Sequence, residues 1–451
     1  MVYYRLYLMK TYFKNHILTS KPAIYLWPIL AIYLGIVAKF AANKPLGDGI
    51  RFWAYAGNIL SGTYATADVG MLHMGPGYPM LLSIFRGLDV PIIIVITLNA
   101  ILLFGACVYI YKMISQLLPS KAAIVITYVF AFWDPFLLYW MQKLYSEPLV
   151  VFLIVYAIYH LLNYYKTPKT KSLLKISAAL GYVALTKVIF GYVLLVFLIL
   201  SAIIYVLSKQ KVFQKNILVA GLALLFCLPY LGYTYKETGK LFYWGNSGGE
   251  LLYWTASPHK TDLGEWHTGG PGMNDFFAQR YHLSGIDPTL VYEVNELITE
   301  RIYQDHKAFK EKLNGLGAYS ADALYKQEAL KNIKAHPVNF LKNWVMNIGR
   351  ITLGYPHALY AKPPFSSFMS LLNIIKSSFL VVFFLFSLLL SLKLLKQINP
   401  AYWSILLLGM IYFGGVSLLA AQSQRFLIPI SPIIFIWMAY LASYLKINFK
   451  S

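Results

Sequence analysis

A bilayer crossing needs about 20 mostly apolar residues, fewer where a helix is short or the membrane locally thin, and this chain of 451 residues offers ten such stretches. They run approximately 22–42, 91–117, 121–140, 147–164, 172–187, 188–208, 216–235, 370–392, 401–421 and 426–446. With 58% hydrophobic residues, 13% charged and a mean hydropathy of +0.57, the chain carries more apolar surface than a water-soluble fold could bury. The prediction is an all-α, polytopic membrane protein. The long basic stretch ahead of Pro22 makes a poor secretory leader, so the first apolar run is expected to be a retained crossing.

A net charge of +21 and a pI near 9.6 would suit a nucleic-acid binder if the cations formed a patch on a soluble fold. They lie instead between apolar runs, where membrane orientation explains them and nucleic acid does not. Lys166, Lys169, Lys171 and Lys175 precede the stretch 172–208, and Lys209, Lys211 and Lys215 follow it. Both flanks read as cytoplasmic, so the chain must go out and return with a turn near Thr186 and Lys187. The acids agree without any use of hydropathy. Of 18 Asp and Glu, 13 lie between Glu237 and Glu328, and the others are Asp48, Asp68, Asp89, Asp134 and Glu147. With a cytoplasmic N-terminus all of them fall on or near the outer face. The expected organisation is a transmembrane module over 1–235 with a first outer loop at 43–90, an outer soluble segment over 236–338, and a C-terminal part over 339–451. That last part opens with an amphipathic helix at the interface, because an eleventh crossing there would export Lys446 and Lys450.

Candidate chemistry gathers at the outer ends. Asp48, Arg51, Tyr55 and Asn58 recur at helical spacing after the first crossing, so Asp48 heads an amphipathic surface helix. Capping of that helix and pairing with Arg51 would account for Asp48 locally. The loop continues through His73 into the turn Gly75–Pro76–Gly77, whose backbone could approach a ligand closely or merely connect. Glu147 and Pro148 make a good helix start as well as a possible carboxylate site. Lys143, Lys187 and Arg425 are cations at the outer ends of crossings, against the positive-inside tendency, and Arg350 sits on the interfacial helix. Each could grip a lipid phosphate or snorkel to the headgroups. The two cysteines, Cys107 and Cys227, fall inside apolar runs and offer neither a disulfide framework nor a metal site. The nine histidines lack ligand spacing, and no metal motif, nucleophile elbow or phosphate-binding loop is present. No metal site and no cofactor is expected, although a divalent cation is compatible with phosphate chemistry.

Several segments taken in order resemble the GT-C glycosyltransferases, specifically the group that includes protein O-mannosyltransferases and the bacterial lipid A aminoarabinose transferase. The carriers are GDGIRFWAYAGNILSGTY from Gly47, then GPGYPMLL, YSEPL, ALTKVIFGYVLL, ETGKLFYWGNSGGELLYW, ALKNIKAHPVNFLKNW and QRFLIPISPIIFI. The resemblance implies a bundle of about ten transmembrane helices with juxtamembrane helices in the first outer loop, in a bacterial plasma membrane. It implies a polyprenyl-phosphate sugar as donor, among membrane lipids, and transfer to a lipid, glycan or protein hydroxyl at the outer face with inversion at the anomeric carbon. Asp48 then matches the family's catalytic acid and Glu147 a second acid. Lys187 and Arg425 match basic positions at the donor phosphate, with Arg350 and Lys143 as further cations, and Arg51, Tyr55 and His73 are candidates to contact sugar or acceptor. The chain departs from the eukaryotic mannosyltransferases in having Gly49 beside Asp48, and it lacks their lumenal sugar-binding domain, which argues against protein mannosylation.

A lipid-sugar flippase or transporter would share the hydrophobicity but should carry ionisable residues at mid-membrane and inverted repeats. An oligosaccharide ligase or polymerase would differ only in its donor. The acid and lysine partition makes a direct prediction. Single cysteines replacing Ser247 and Ser320 should react with a membrane-impermeant thiol reagent in intact cells while one replacing Ser208 should not, and labelling at Ser208 would overturn the orientation.

Overall fold

Hydrocarbon offers no partner to a backbone N–H or C=O, so a spanning segment must satisfy its own hydrogen bonds, and helices do so within one segment. The structure, a computed structural model, describes residues 21–65, 72, 74–266, 296–354, 367–393, 397–419 and 424–448, and every regular element among them is helical. A 3-10 turn at Lys21–Leu26 leads into α1 (Trp27–Phe40), followed by two short helices, α2 (Asp48–Leu60) and α3 (Gly77–Gly87). Next come α4 (Ile92–Ile114), α5 (Ser120–Phe132), α6 (Pro135–Met141), α7 (Glu147–Lys166), α8 (Thr170–Thr186), α9 (Ile189–Ser208), α10 (Lys211–Phe226) and α11 (Leu228–Thr238). The long segment after them contains α12 (Gly248–Thr255), α13 (Glu296–Glu311) and α14 (Ala318–Ala335). The chain closes with α15 (Pro337–Leu353), α16 (Ser367–Lys393), α17 (Pro400–Ser417), a 3-10 stretch at Gln424–Ile430 and α18 (Ser431–Asn448).

All ten apolar stretches are helical, but fewer than ten are single helices of spanning length. Among the described residues, α4, α7, α9, α17 and the stretch Gln424–Tyr444 are long and apolar enough to cross a membrane. The pairs α5 and α6, bent by 65°, and α10 and α11, bent by 53°, raise that count from five to seven if each pair is one broken span. Proline explains both breaks, since Pro135 and Pro229 sit at the first turns of α6 and α11, where the missing N–H costs nothing. Asp134 completes the first break by accepting the Phe136 N–H at 2.9 Å. The apolar parts of the first and α16 runs, Ile24–Phe40 and Ile375–Leu389, are shorter, and α8 has 17 residues. The expected turn inside 172–208 falls at Lys187 and Val188, between α8 and α9.

Helix α7 packs against both α4 and α8, and α9 packs against α10 and α17. A buried polar clasp joins three of these elements: Ser404 Oγ of α17 lies 2.8 Å from the Tyr165 hydroxyl of α7 and accepts the Asn216 amide of α10 at 2.8 Å. Satisfied polar contacts of this kind fix the register of helices that lipid-facing surface alone would let slide. The exposed faces carry Ile199, Ile203 and Val206 on α9 and Phe379, Val382 and Phe386 on α16, as a lipid-facing surface requires.

Two close approaches shape one end of the bundle. The Gly75 backbone lies on the Leu185 carbonyl at the end of α8, so closely that a Cβ there would overlap it. At the start of α9, the Trp244 indole occupies the space where a Gly191 side chain would be, and Trp244 is fully buried. The loop before α3 and the strip after α11 thus close over the α8–α9 turn.

The segment from α12 to α14 has its own small core of Tyr253, Trp254, Ile302, Tyr325 and Ala329. His306 is buried within it, 2.5 Å from the Tyr253 hydroxyl and 2.8 Å from Asp262 Oδ2. Helix α15 is amphipathic, as expected for the stretch after Pro337, and its polar face turns inward. Asn343 donates to the Thr255 and Ser257 carbonyls at 3.0 and 3.2 Å, and Asn347 to Thr255 Oγ1 at 3.0 Å, while Val338, Leu341 and Val345 are exposed.

In the same segment Asp322 is buried and accepts the Gly249 N–H at 2.7 Å. Burial pushes its carboxyl up to about 6, an effect that the backbone hydrogen bonds from Gly249 and Glu250 only partly offset. A carboxyl raised on folding favours the native state in its protonated form, and that contribution is lost as pH rises from about 4 through about 6. Asp322→Asn, which keeps the acceptor, should therefore raise Tm at pH 7 relative to the parent protein and leave it unchanged near pH 4. Equal differences at both pH values would show that Asp322 does not titrate in this window.

Candidate functional site

Four charged side chains far apart in sequence meet at one end of the bundle. Asp48 is the first residue of α2, Glu147 the first of α7, Lys187 lies in the α8–α9 turn and Arg425 in the 3-10 stretch ahead of α18. Glu147 Oε1 accepts both Lys187 Nζ at 2.7 Å and Arg425 Nε at 2.5 Å. Arg425 Nη1 also pairs with Asp48 Oδ2, and Arg51 pairs with Asp48 Oδ1. Arg425 thus bridges the two carboxylates. Glu147 is buried, with a side chain 1% exposed, whereas Asp48, Arg425, Arg51 and Lys187 keep 16–23% of their side-chain surface open. Two carboxylates against three cations leave a formal excess of one positive charge in a partly closed site.

Local sequence explains how each group arrives. Gly47 adopts φ +55° and turns the chain into α2 at Asp48. Asp48 is the first helical residue and Gly47 takes the N-cap position, so Asp48 is not the cap residue itself. The expected pairing with Arg51 is present, and Arg425 is added to it. Pro148 in the first turn starts α7 at Glu147, and the break between α8 and α9 leaves Lys187 at a helix end. Burial alone would raise the Asp48 carboxyl, but Arg425 and Arg51 outweigh it and hold the group well below the usual carboxylate range. Asp48 is ionised throughout the physiological range.

The other candidates lie elsewhere or on the rim. Lys143 does not join the cluster; its ammonium stands 3.8 Å from the centre of the Tyr139 ring and 5.8 Å from that of Trp140. Arg350 is fully buried on the inward face of α15, donating to the Leu263 carbonyl at 2.8 Å and to Asn347, so its charge serves the junction with the α12–α14 segment. Tyr55 is buried two turns along α2 and packs on Tyr64, ring centres 5.1 Å apart. His73 lies outside the described residues. Asp134 pairs with Lys376 of α16 at 3.5 Å. Among the described residues no group of three or more His, Cys, Asp or Glu could hold a metal ion.

Two aromatic residues at the site escaped the sequence reading. The Tyr145 ring lies 4.8 Å and the Trp140 ring 5.3 Å from the Arg425 guanidinium carbon. Their signal was the run YWMQKLYSEP, aromatic side chains flanking Lys143 just ahead of Glu147, which at the end of a crossing looks like any interfacial belt.

No protein family and no curated protein matches the chain. Among solved structures, it is similar to ArnT from Cupriavidus metallidurans bound to undecaprenyl phosphate. The likeness has a TM-score of 0.40 at 10% sequence identity and covers 94% of this chain and 78% of that one.

Removing one member of a buried, hydrogen-bonded charge cluster leaves the others uncompensated, typically at about 3–5 kcal/mol. Glu147→Ala should lower stability by about that amount, read as a large fall in Tm in detergent, whereas Lys331→Ala, which removes an exposed ion pair with Glu328, should change it by less than about 1 kcal/mol. Equal small effects would mean that the Glu147 cluster adds nothing to the fold.

Proposed function

We propose that this multi-pass membrane protein is a GT-C-type glycosyltransferase that takes a sugar from a polyprenyl-phosphate donor and transfers it to an acceptor hydroxyl at the outer face of the membrane, with inversion. The observation that carries the reading is the arrangement of Asp48, Glu147, Lys187 and Arg425, with Arg51, around one excess positive charge. A lipid-linked sugar phosphate is a phosphodiester with one negative charge, which balances that excess. Arg425 offers a planar fork to phosphate oxygens and Lys187 a point charge. The order of motifs from Gly47 to the final crossing supports the same reading.

The donor already carries its activated leaving group, so the protein has to hold phosphate charge and accept a proton. The acceptor oxygen attacks the anomeric carbon and the bond from that carbon to the phosphate oxygen breaks. The electron pair leaves on the lipid phosphate, and the acceptor's proton passes to Asp48. Asp48 paired with Arg425 is a weak base, because the guanidinium stabilises its ionised form. A phosphate that draws Arg425 toward itself weakens that pairing and raises the basicity of Asp48 in the loaded state. The site is therefore quiet when empty and becomes basic as donor binds.

The test is incubation of the purified full-length protein with a panel of radiolabelled polyprenyl-monophosphate sugars, following release of lipid phosphate. Asp48→Asn, nearly isosteric and unable to accept the proton, should lower transfer by about two orders of magnitude or more. Near-normal transfer by a well-expressed Asp48→Asn protein would remove Asp48 from the chemistry, and turnover of none of the donors would remove the function itself.

A further inference from the structure

Arg425 makes two ion pairs, and a phosphate that recruits it must compete with both, so something else has to keep the guanidinium in place as its partners change. The side chains on its remaining side are aromatic. Its guanidinium carbon lies 4.8 Å from the centre of the Tyr145 ring and 5.3 Å from that of Trp140, and the two rings, 4.5 Å apart and inclined by 30°, are packed on one another beside it. Cations are attracted to such ring faces within about 6 Å, and Arg more often than Lys makes the contact. The attraction survives a change of anionic partner because it does not depend on one.

Tyr145 is tied to the catalytic carboxylate as well. Its hydroxyl accepts the Asp48 backbone N–H at 3.2 Å, and it lies where any side chain on Gly47 would have to go. Tyr145 is itself buried, 6% exposed, and follows Lys143 and Leu144 in the short connection from α6 to Glu147. One residue therefore touches the backbone of Asp48 and the guanidinium of Arg425 while standing two positions from Glu147.

We propose that Trp140 and Tyr145 form an aromatic shelf that positions Arg425 for the donor phosphate. They are positioning residues, acting through Arg425 and not on the sugar, and the inference rests on the polyprenyl-phosphate reading above. The shelf keeps the guanidinium over one spot while its anionic partner changes from carboxylate to phosphate. Lys is not equivalent to Arg there, since it offers a point charge where the guanidinium offers a planar fork to phosphate.

The test measures binding of radiolabelled polyprenyl phosphate to the full-length protein in nanodiscs, together with donor KM and kcat. Tyr145→Phe keeps the ring and should hold Kd within about twofold, whereas Tyr145→Leu and Trp140→Leu should each weaken binding roughly 5- to 10-fold. Arg425→Lys should weaken binding as well, and Tyr145→Leu added to it should cost little more, because both changes break the same contact. Effects that multiply in the double variant would overturn the shelf and leave Tyr145 as packing. Should the Leu variants fail to accumulate, fluorinated tryptophans at position 140 keep the shape and progressively weaken the ring's attraction for a cation. Kd should then rise with each added fluorine, and a flat series overturns the proposal. If the parent protein binds the lipid phosphate while the variants and the fluorine series show no loss, only the shelf fails. If the parent protein binds no lipid phosphate, the donor reading and the shelf fail together.

Discussion

The Arg425 guanidinium is the point on which this end of the bundle depends. It reaches across 377 positions of sequence to Asp48 and across 278 to Glu147, joining the 3-10 stretch ahead of α18 to the starts of α2 and α7. Packing already sets the 3-10 stretch against α7, and the guanidinium adds a directional demand, because its planar fork of N–H donors suits only a limited set of partner geometries. Burying so many charges together is expensive unless they are mutually paired. The cluster meets that condition by alternating sign: cation, carboxylate, cation, carboxylate and cation from Lys187 through Glu147, Arg425 and Asp48 to Arg51. The closing loops at Gly75 and Trp244 belong to the same solution, since they cap the α8–α9 turn from which Lys187 projects.

Much of the architecture was legible because hydrophobic thickness is a one-dimensional constraint: a run of apolar residues either spans a bilayer or does not. The helix breaks were less so. The α8–α9 turn could be placed from lysines on either side, but the bend before Pro135 and that before Pro229 were read as continuous crossings, since proline at a first helical turn and proline within a span leave the same mark in a hydropathy profile. At the site, cations at unexpected ends of crossings were a good signal but an incomplete one. It singled out Lys187 and Arg425, which the fold brings together, and equally Arg350 and Lys143, which it does not. What separates them is the tertiary partner: a backbone carbonyl, an asparagine and nearby Glu265 for Arg350, a tyrosine ring for Lys143, and Asp48 with Glu147 for Arg425. Single-sequence spacing carries no information about partners so distant.

Tyr55 shows the same limit from the opposite direction. Periodicity places it on one face with Asp48 and Arg51, yet two turns along the helix axis is about 10 Å, so it meets Tyr64 where Asp48 meets Arg425. The aromatic pair Trp140 and Tyr145 was hidden by abundance. In a chain that is 17% aromatic, rings near a crossing's end are unremarkable until a cation is found on their faces.

Helix α15 carries a consequence for how the large α12–α14 segment is mounted. Its asparagines are spent on the Thr255–Ser257 turn and on the end of α17, where Asn347 reaches the Ser417 carbonyl at 3.2 Å and Trp344 the Ser417 hydroxyl at 2.9 Å. What remains facing outward is mostly aliphatic, Val338, Leu341 and Val345, with Pro337 and Lys342 beside them. A helix built this way is a gasket: polar toward the protein on either side of it, greasy at its outer edge. Lifting the segment off α15 would break the Asn343 and Asn347 contacts together, so the segment is fastened to that helix and not merely tethered by the chain. Its position relative to the transmembrane helices is then set by α15 and the end of α17, through contacts that a single rigid helix carries on two sides.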